Sequence, residues 1–272
     1  MRLSKVELDR NELLELSDDE LTFFLAFGDH ANEINAVTKL MYWAGGEDAA
    51  ASPQAHGRQT MLVFLLRILG GKLFEGWQLL QKTLLKREMG RDVIPQLDER
   101  IGTHLEALKK YFGRENAAEV IRNKFGFHYS AEKLVQALAD SDDPLLMYMD
   151  GEAAPNTLFY FSEVAIVDAM IGALREKGLE RTLSDLVSEF FELAVSFSQV
   201  ADGVMDVLIK HHVGDMRSAP PELIDIEPFP KFEEISIPWF VDLTTVLERI
   251  SAQPNKSPDR VKSRDGSVEF RD

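Results

Sequence analysis

The segment from Arg122 to His128 reads Arg-Asn-Lys-Phe-Gly-Phe-His, and its side chains are the ones in this chain best suited to chemistry. RNA is cut without a metal when a ribose 2′-hydroxyl attacks the neighbouring phosphorus. The imidazole of His128 has the near-neutral pKa that moving those protons requires. Arg122 offers a permanent, planar cation to the phosphoryl oxygens as negative charge builds on them. Asn123 can hydrogen-bond the phosphate, or fix the tautomer of the imidazole.

An Arg, a polar residue directly after it, and a His six positions on resemble the signature of the HEPN superfamily (higher eukaryotes and prokaryotes nucleotide-binding domains). In this chain five residues separate Arg122 from His128. The resemblance implies a helical bundle over about residues 18–140, and often a dimer in which two motifs face each other across a cleft. It also implies metal-independent RNA cleavage in the active members. Other members only bind nucleotides or partner proteins.

Some members of this superfamily carry a Tyr two residues after the His, which a partner enzyme modifies. Here Ser130 occupies that position and Tyr129 directly follows His128, so we do not expect the modification. Lys124 and Tyr129 are predicted to support the site. Tyr129 and the two phenylalanines of the segment are also the kind of side chain that packs in a core.

Residues six apart on an unbroken helix are separated by roughly 240° around its axis and about 9 Å along it. Arg122 and His128 would then point in different directions. We therefore predict that Gly126, a poor helix former, loosens the turn, or that a second subunit completes the site. The alternative is structural: Arg122 pairs with Glu115 or Glu119, and His128 caps the end of its helix.

Polar residues inside the first two long helices are predicted as a polar lining of this site. They are Glu33 and Asn35 in the first helix, and Lys72 and Glu75 in the second. Because buried charge must be paired, an interhelical Glu33–Lys72 ion pair is one alternative explanation, and simple exposure is another. No metal site and no cofactor are predicted.

The composition restricts the possible functions of the chain. Its 272 residues, 45% of them hydrophobic, suffice for a sizeable core, and the absence of cysteine excludes disulfides, thiolate metal sites and cysteine nucleophiles. The N-terminus lacks the pattern of a signal peptide and no stretch matches a membrane span, so we expect a soluble, cytoplasmic protein with no membrane partner. A net charge of −16 repels nucleic acid over most of the surface, and DNA is not expected as a partner.

Helical signals dominate the order of the chain. Ser17 and Glu20 form a capping box that opens a helix ending at Ala44, because Gly45 and Gly46 follow. Further helices are predicted over residues 57–86, 97–112 and from about 115 through the Arg122 segment. Ser130 can cap the next helix, with Leu134, Val135 and Leu138 facing inward. Residues 145–149 and 157–161 suit a small β-hairpin, and a helix runs from residue 162 to Gly178.

The last long helix has apolar residues in alternating steps of three and four, which places them on one narrow seam. The seam is either an ordinary core-facing surface or the contact between two chains of a dimer. It consists of Leu183, Leu186, Phe190, Leu193, Phe197, Val200, Val204 and Val207. Five prolines between residues 220 and 238 then exclude a continuous helix there. We predict an extended arm on the body, a short helix over about 239–250 and a poorly ordered tail.

The predicted fold is mostly α: a HEPN-like helical bundle over residues 1–140, a hairpin and two helices over 141–214 that pack on it within the same compact domain, and a Pro-rich acidic arm over 215–272. Three functions remain open. The first is an endoribonuclease that acts on RNA as a homodimer, in phage defence or together with an antitoxin or regulatory protein. The second is a catalytically inactive nucleotide- or protein-binding module. The third is a metal-dependent enzyme built on His30 and Glu33.

Overall fold

The computed structural model describes residues 2–5, 8–45, 51–126, 131–141, 144–150, 156–212, 222–225, 234–235 and 237–241. Within these ranges the protein is mostly helical, which confirms the predicted class. A π-helix, Gln81–Leu85, and a 3₁₀-helix, Ile94–Gln96, are also present. The helices are α1 (Arg10–Leu13), α2 (Asp18–Ala44), α3 (Pro53–Leu80), α4 (Glu88–Val93), α5 (Glu99–Phe112), α6 (Ala117–Phe125), α7 (Ala131–Asp140), α8 (Tyr160–Arg175) and α9 (Leu183–His212).

The start of α2 confirms the predicted capping box. The Ser17 hydroxyl accepts from the backbone N–H of Glu20 at 3.4 Å, and the Glu20 carboxylate accepts from the backbone N–H of Ser17 at 3.0 Å. The helix ends at Ala44, with Gly45 in an extended conformation. Two N–H groups that the first turn leaves without helical partners are thereby satisfied.

Helix α3 lies at the centre of the protein, as its apolar run predicts. It packs against α2, α5, α6, α8 and α9. Two glycines let aromatic rings approach its backbone: a methyl group at Gly70 would meet the ring of Phe190, and one at Gly76 would meet Phe197 and His30. Helices from the first and the second half of the chain therefore pack around α3 in one hydrophobic core.

The seam of α9 faces this core. Seven of its eight side chains are buried, and Leu183, the eighth, is partly buried and packs on the same core. The core-facing interpretation is thus confirmed. The interpretation of this seam as a contact between two chains is wrong, because the side chains are already used inside one chain.

Helix α7 corrects the prediction of which residues point inward. Val135 is 69% exposed and Leu138 is 37% exposed. Leu134 packs on the core as predicted, and Ala137, which was not predicted to face inward, does so as well. The neighbouring surface, here α8, decides which part of the apolar side of this short helix is covered. Ser130, its predicted cap, lies outside the described residues.

The two runs predicted as a β-hairpin meet in one antiparallel bridge, between Tyr148 and Leu158. The described residues on either side of the bridge form no further ladder. The second run is interrupted because α8 begins at Tyr160, two residues earlier than predicted. Gly178, with φ of +69°, follows this helix as expected.

The described parts of the C-terminal arm lie against the body. A strand, β2 (Glu222–Asp225), pairs antiparallel with an N-terminal strand, β1 (Arg2–Lys5), and neither strand was predicted. The predicted helix does not start at Trp239, because residues 239–241 are not helical, and residues 242–250 lie outside the described part. No helix among the described residues is both long and apolar enough to serve as a membrane span.

Candidate functional site

Helix α6 carries the first half of the Arg122 segment. The Asn116 side chain caps its start by accepting from the backbone N–H of Glu119 at 2.9 Å. Ile121 and Phe125, four residues apart, face the core. Arg122 follows Ile121 by about 100° around the helix and is therefore placed at the surface, where its side chain is 47% exposed.

Arg122 forms an ion pair with Glu75 of α3. Its Nε and Nη2 atoms lie 2.8 and 2.6 Å from Glu75 Oε1, and Nη1 donates to Asn123 Oδ1 at 3.0 Å. Glu75 is one of the residues predicted to line the site. The predicted partners Glu115 and Glu119 do not pair with Arg122, and Glu115 instead binds Lys177 at 2.9 Å. The segment is thus held against α3, not against its own helix.

A second ion pair lies one turn earlier on α3. Lys72 Nζ and Glu33 Oε1 are 2.6 Å apart, which confirms the interhelical pair among the alternatives for these two residues. His30 of α2 donates through Nε2 to the Lys72 carbonyl oxygen at 2.6 Å. Asn35 accepts from the Ser198 hydroxyl at 2.7 Å and belongs to the contact with α9. No three His, Asp or Glu side chains of the described residues are grouped to hold a metal ion.

The polar row therefore crosses three helices. Glu33 on α2 binds Lys72 on α3, and three residues later Glu75 binds Arg122 on α6. Positions three apart on a helix lie on the same face, so α3 presents both pairs to one side. The structure brings Glu33, Lys72, Glu75 and Arg122 into one surface row, and it places Asn35 at a different contact.

Helix α6 ends at Phe125, before Gly126. The side chain of Arg67, which is only 7% exposed, donates through Nε to the Phe125 carbonyl oxygen at 2.7 Å and so satisfies the end of the helix. A methyl group at Gly126 would come within 2.9 Å of the Arg122 carbonyl oxygen. His128 and Tyr129 lie outside the described residues, as does Phe127.

A surface cleft of about 480 Å³ opens beside α6, and two of the predicted supporting residues, Asn123 and Lys124, line it. Arg114 and Lys177 lie in the same cleft, together with Glu115 and Glu119. Lys124 Nζ is 3.9 Å from Glu176, a long ion pair that leaves the ammonium group accessible. Because Arg122 donates to Asn123, the Arg122 guanidinium lies at the edge of this cleft.

Glu163 of α8 is a buried carboxyl group near the end of α6. It is 7% exposed, and its Oε1 atom makes no hydrogen bond to the described residues. Burial raises its pKa to about 7, and the charge of Arg67 opposes that shift. Arg67 therefore links the carbonyl end of α6 electrostatically to a group that titrates near neutral pH.

The sequence analysis did not identify two further polar clusters. Tyr111 donates to Glu189 at 2.6 Å, Arg181 donates to the other oxygen of that carboxylate at 2.8 Å, and burial raises the pKa of Tyr111 well above its usual range. The ring of His56 stacks on Tyr160 with centroids 3.9 Å apart.

The Nδ1 atom of His56 lies 2.7 Å from the Tyr148 hydroxyl. Tyr111 lies 78 positions from Glu189 in the chain, and His56 lies 92 positions from Tyr148. No local spacing could have revealed them.

No family model matches this chain, and neither a curated protein nor a solved structure shows significant similarity to it.

Proposed function

We propose that this protein is a metal-independent endoribonuclease of the HEPN type. The observation that carries the proposal is the placement of Arg122: a half-exposed guanidinium that contacts Asn123 at the edge of a cleft containing Lys124, Arg114 and Lys177. In a chain of net charge −16, this is a local site where a phosphodiester meets cations and hydrogen-bond donors.

The reaction follows from the residue types. His128 accepts the proton of the ribose 2′-hydroxyl, whose oxygen attacks the neighbouring phosphorus while the bond from phosphorus to the 5′-oxygen breaks. Arg122 binds the phosphoryl oxygens as their negative charge increases. The leaving 5′-oxygen takes a proton from water, and the products are a 2′,3′-cyclic phosphate and a 5′-hydroxyl.

The end of α6 at Phe125 supports this assignment. An unbroken helix would hold Arg122 and His128 on different sides, whereas the helix stops three residues after Arg122. In this proposal His128 completes the site either within one chain or from a second copy of the chain. Cleavage of RNA by a mixture of Arg122→Ala and His128→Ala chains, each inactive alone, is expected if two chains share the site.

The test is incubation of the full chain with mixed RNA in excess EDTA. We expect cleavage by the parent and a loss of about 100-fold or more in both Arg122→Ala and His128→Ala, because each removes a group that acts in the transition state. Electrophoresis and end-group analysis of the products measure the rate and identify the cyclic phosphate.

Matched controls are Arg175→Ala, which removes an exposed arginine, and His104→Ala, which removes a histidine that contacts Ser196. Both should cut at the parent rate, and the thermal denaturation of every variant checks that it is folded. Equal cleavage by the parent, Arg122→Ala and His128→Ala would refute the proposal.

A specific observation favours a second candidate, a catalytically inactive HEPN-like module that binds RNA or a partner protein. Two nitrogens of Arg122 are already bound to Glu75, so a phosphate must compete with a carboxylate for the same donors. Glu75→Gln removes that competition while keeping the shape of the side chain. Tighter RNA binding by Glu75→Gln with no cleavage by any variant would support this second candidate against the nuclease.

A further inference from the structure

Four cationic side chains lie close together in the chain where α3 ends. Lys82 belongs to the π-helix, Lys86 and Arg87 follow it, and Arg91 belongs to α4. All four are exposed, and none forms an ion pair with a carboxylate of the described residues. We refer to these four residues as the basic patch.

The local fold brings the members of the basic patch to one place. Helix α4 packs against the π-helix, and the backbone N–H of Gly90 donates to the Arg87 carbonyl oxygen at 3.2 Å. A methyl group at Gly90 would lie 2.3 Å from the carbonyl oxygen of Leu84, so only a glycine permits this close approach. The tight turn places Arg91 on the same end of the molecule as Lys86 and Arg87.

The basic patch continues the polar row of α3. Glu75 is the residue of α3 that binds Arg122. It lies seven residues before Lys82, and both side chains are exposed. Seven residues correspond to about two helical turns, or about 10 Å, so Lys82, in the π-helix that continues α3, lies roughly in line with Glu75. One extended polymer strand lying along this line is long enough to contact both Arg122 and the basic patch.

The stretch of sequence that carries the patch has more cations than acidic residues. Residues 81–93 contain four Lys or Arg and two acidic residues, Glu88 and Asp92, a local balance of +2 in a chain of −16. The first turn of α2, with Asp18, Asp19 and Glu20, belongs to a helix that also packs against the π-helix. None of these carboxylates pairs with the patch, whereas many other cations of the described residues are paired.

We propose that the basic patch binds the phosphate backbone of the RNA strand whose scissile phosphate lies at Arg122. This inference rests on RNA as the ligand of the proposed function and names where the flanking nucleotides bind. Unpaired, exposed cations are the groups whose contact with phosphates releases counterions, and such binding weakens steeply with salt. The position of Lys82, about 10 Å beyond Glu75 along the helix, fits a strand that also reaches Arg122, a continuity that binding to a lipid surface would not require.

The test measures binding of a 2′-O-methyl RNA oligonucleotide, which cannot be cleaved because its 2′-oxygen is blocked. Fluorescence anisotropy at several salt concentrations compares the parent with Lys82→Glu/Lys86→Glu. The matched control is Lys39→Glu/Lys110→Glu, which reverses two other exposed and unpaired lysines on α2 and α5. In the patch variant only, we expect the slope of log K against log salt to decrease by about 0.7 for each phosphate that the protein no longer neutralises.

The milder Lys82→Gln/Lys86→Gln variant, together with thermal denaturation, ensures that weaker binding does not come from misfolding. Equal binding by the patch variant and the control overturns the inference. So does an effect confined to vesicles of phosphatidylserine and phosphatidylcholine, with RNA binding unchanged.

A cleavage assay of the same variants separates this inference from the proposed function. Cleavage by the parent with an unchanged KM in the patch variant overturns the inference and leaves the nuclease standing. Patch-dependent binding of RNA without cleavage by the parent supports the inference and refutes the nuclease. A parent chain that neither binds nor cleaves RNA overturns both.

Discussion

At the scale of single residues, the ion pair between Arg122 and Glu75 is too exposed to be a major source of stability. Both side chains are close to half exposed, and such pairs contribute about 0–1 kcal/mol. What the pair does is orient the guanidinium along the surface of α3, toward Asn123. The candidate site thus has its arginine in one defined position before any ligand is bound.

Glu163 gives a prediction at the same scale. Its pKa is about 7 in the folded protein and about 4.5 when unfolded, so the folded state binds more protons between these two values. The free energy of unfolding should therefore decrease as the pH rises from about 4.5 to 7. Relative to Glu163→Gln, which carries no charge, we expect the parent to lose on the order of 2 kcal/mol between pH 5 and pH 8.

Urea denaturation of both proteins across this pH range measures the difference. Glu132→Gln removes an exposed carboxyl group and should follow the parent at every pH. A difference between the parent and Glu163→Gln that stays constant from pH 5 to pH 8 would show that the buried carboxyl does not titrate in this window.

At the scale of elements, α3 positions the candidate site because it contacts both helices that contribute ion-pair partners. Gly70 and Gly76 have no side chain, which lets Phe190 and Phe197 of α9 lie against the α3 backbone. Lys72 and Glu75 of the same helix form the ion pairs with α2 and α6. The close packing around α3 thus fixes the direction in which its charged side chains point.

Glycine-to-alanine substitutions at two helical positions should have opposite effects. Gly76→Ala places a methyl group 2.6 Å from both His30 and Phe197, and we expect a destabilisation of about 1–3 kcal/mol from overpacking. Gly172→Ala in α8 meets no atom within 4 Å and should stabilise the protein by about 0.5–1 kcal/mol, because alanine favours a helix more than glycine does. Chemical denaturation checks both, and effects of the same sign would contradict the packing described here.

At the scale of the whole molecule, the C-terminal arm is attached at two described places. One is the pairing of β2 with β1, and the other is the contact of Trp239 with Gly57 of α3, where a methyl group would lie 2.4 Å from Trp239 Cβ. Beside it, the Asn156 amide donates to the Val241 carbonyl oxygen at 2.9 Å and accepts from its N–H at 3.1 Å. Trp239 packs with Leu158, Tyr160 and Val164 in a small hydrophobic cluster that is separate from the main core.

Because the cluster is separate, Trp239→Ala should loosen the arm at this attachment without unfolding the helices. We expect faster proteolytic cleavage after residue 212 and an unchanged far-ultraviolet circular dichroism spectrum. Mass spectrometry of the digest locates the cuts. Phe64→Ala, which removes a side chain that is 53% exposed on α3, is the matched control and should digest like the parent. Parent-like digestion of Trp239→Ala would show that this contact does not hold the arm.

Local chemistry made much of the fold predictable. The capping box of Ser17 and Glu20 acts over three residues, and the seam of α9 repeats within one helix, so neither depends on a distant partner. The mostly helical class and the limits of α2 follow from such short-range patterns, whereas α3 begins at Pro53, four residues before the predicted start. The Arg122 segment, as a set of residue types in one stretch, was visible for the same reason.

Tertiary structure decided what those residues contact. Glu75 lies 47 positions from Arg122, and no pattern in the sequence ranked it above Glu115 or Glu119, which are on or next to the same helix. Strand β1 finds its partner β2 more than two hundred residues away, and α7 turns Val135 outward because α8 offers a surface only to its other side. In each case the free energy that decides the arrangement comes from contacts between segments that are distant in sequence. These contacts form only when the chain packs, so local propensity cannot predict them.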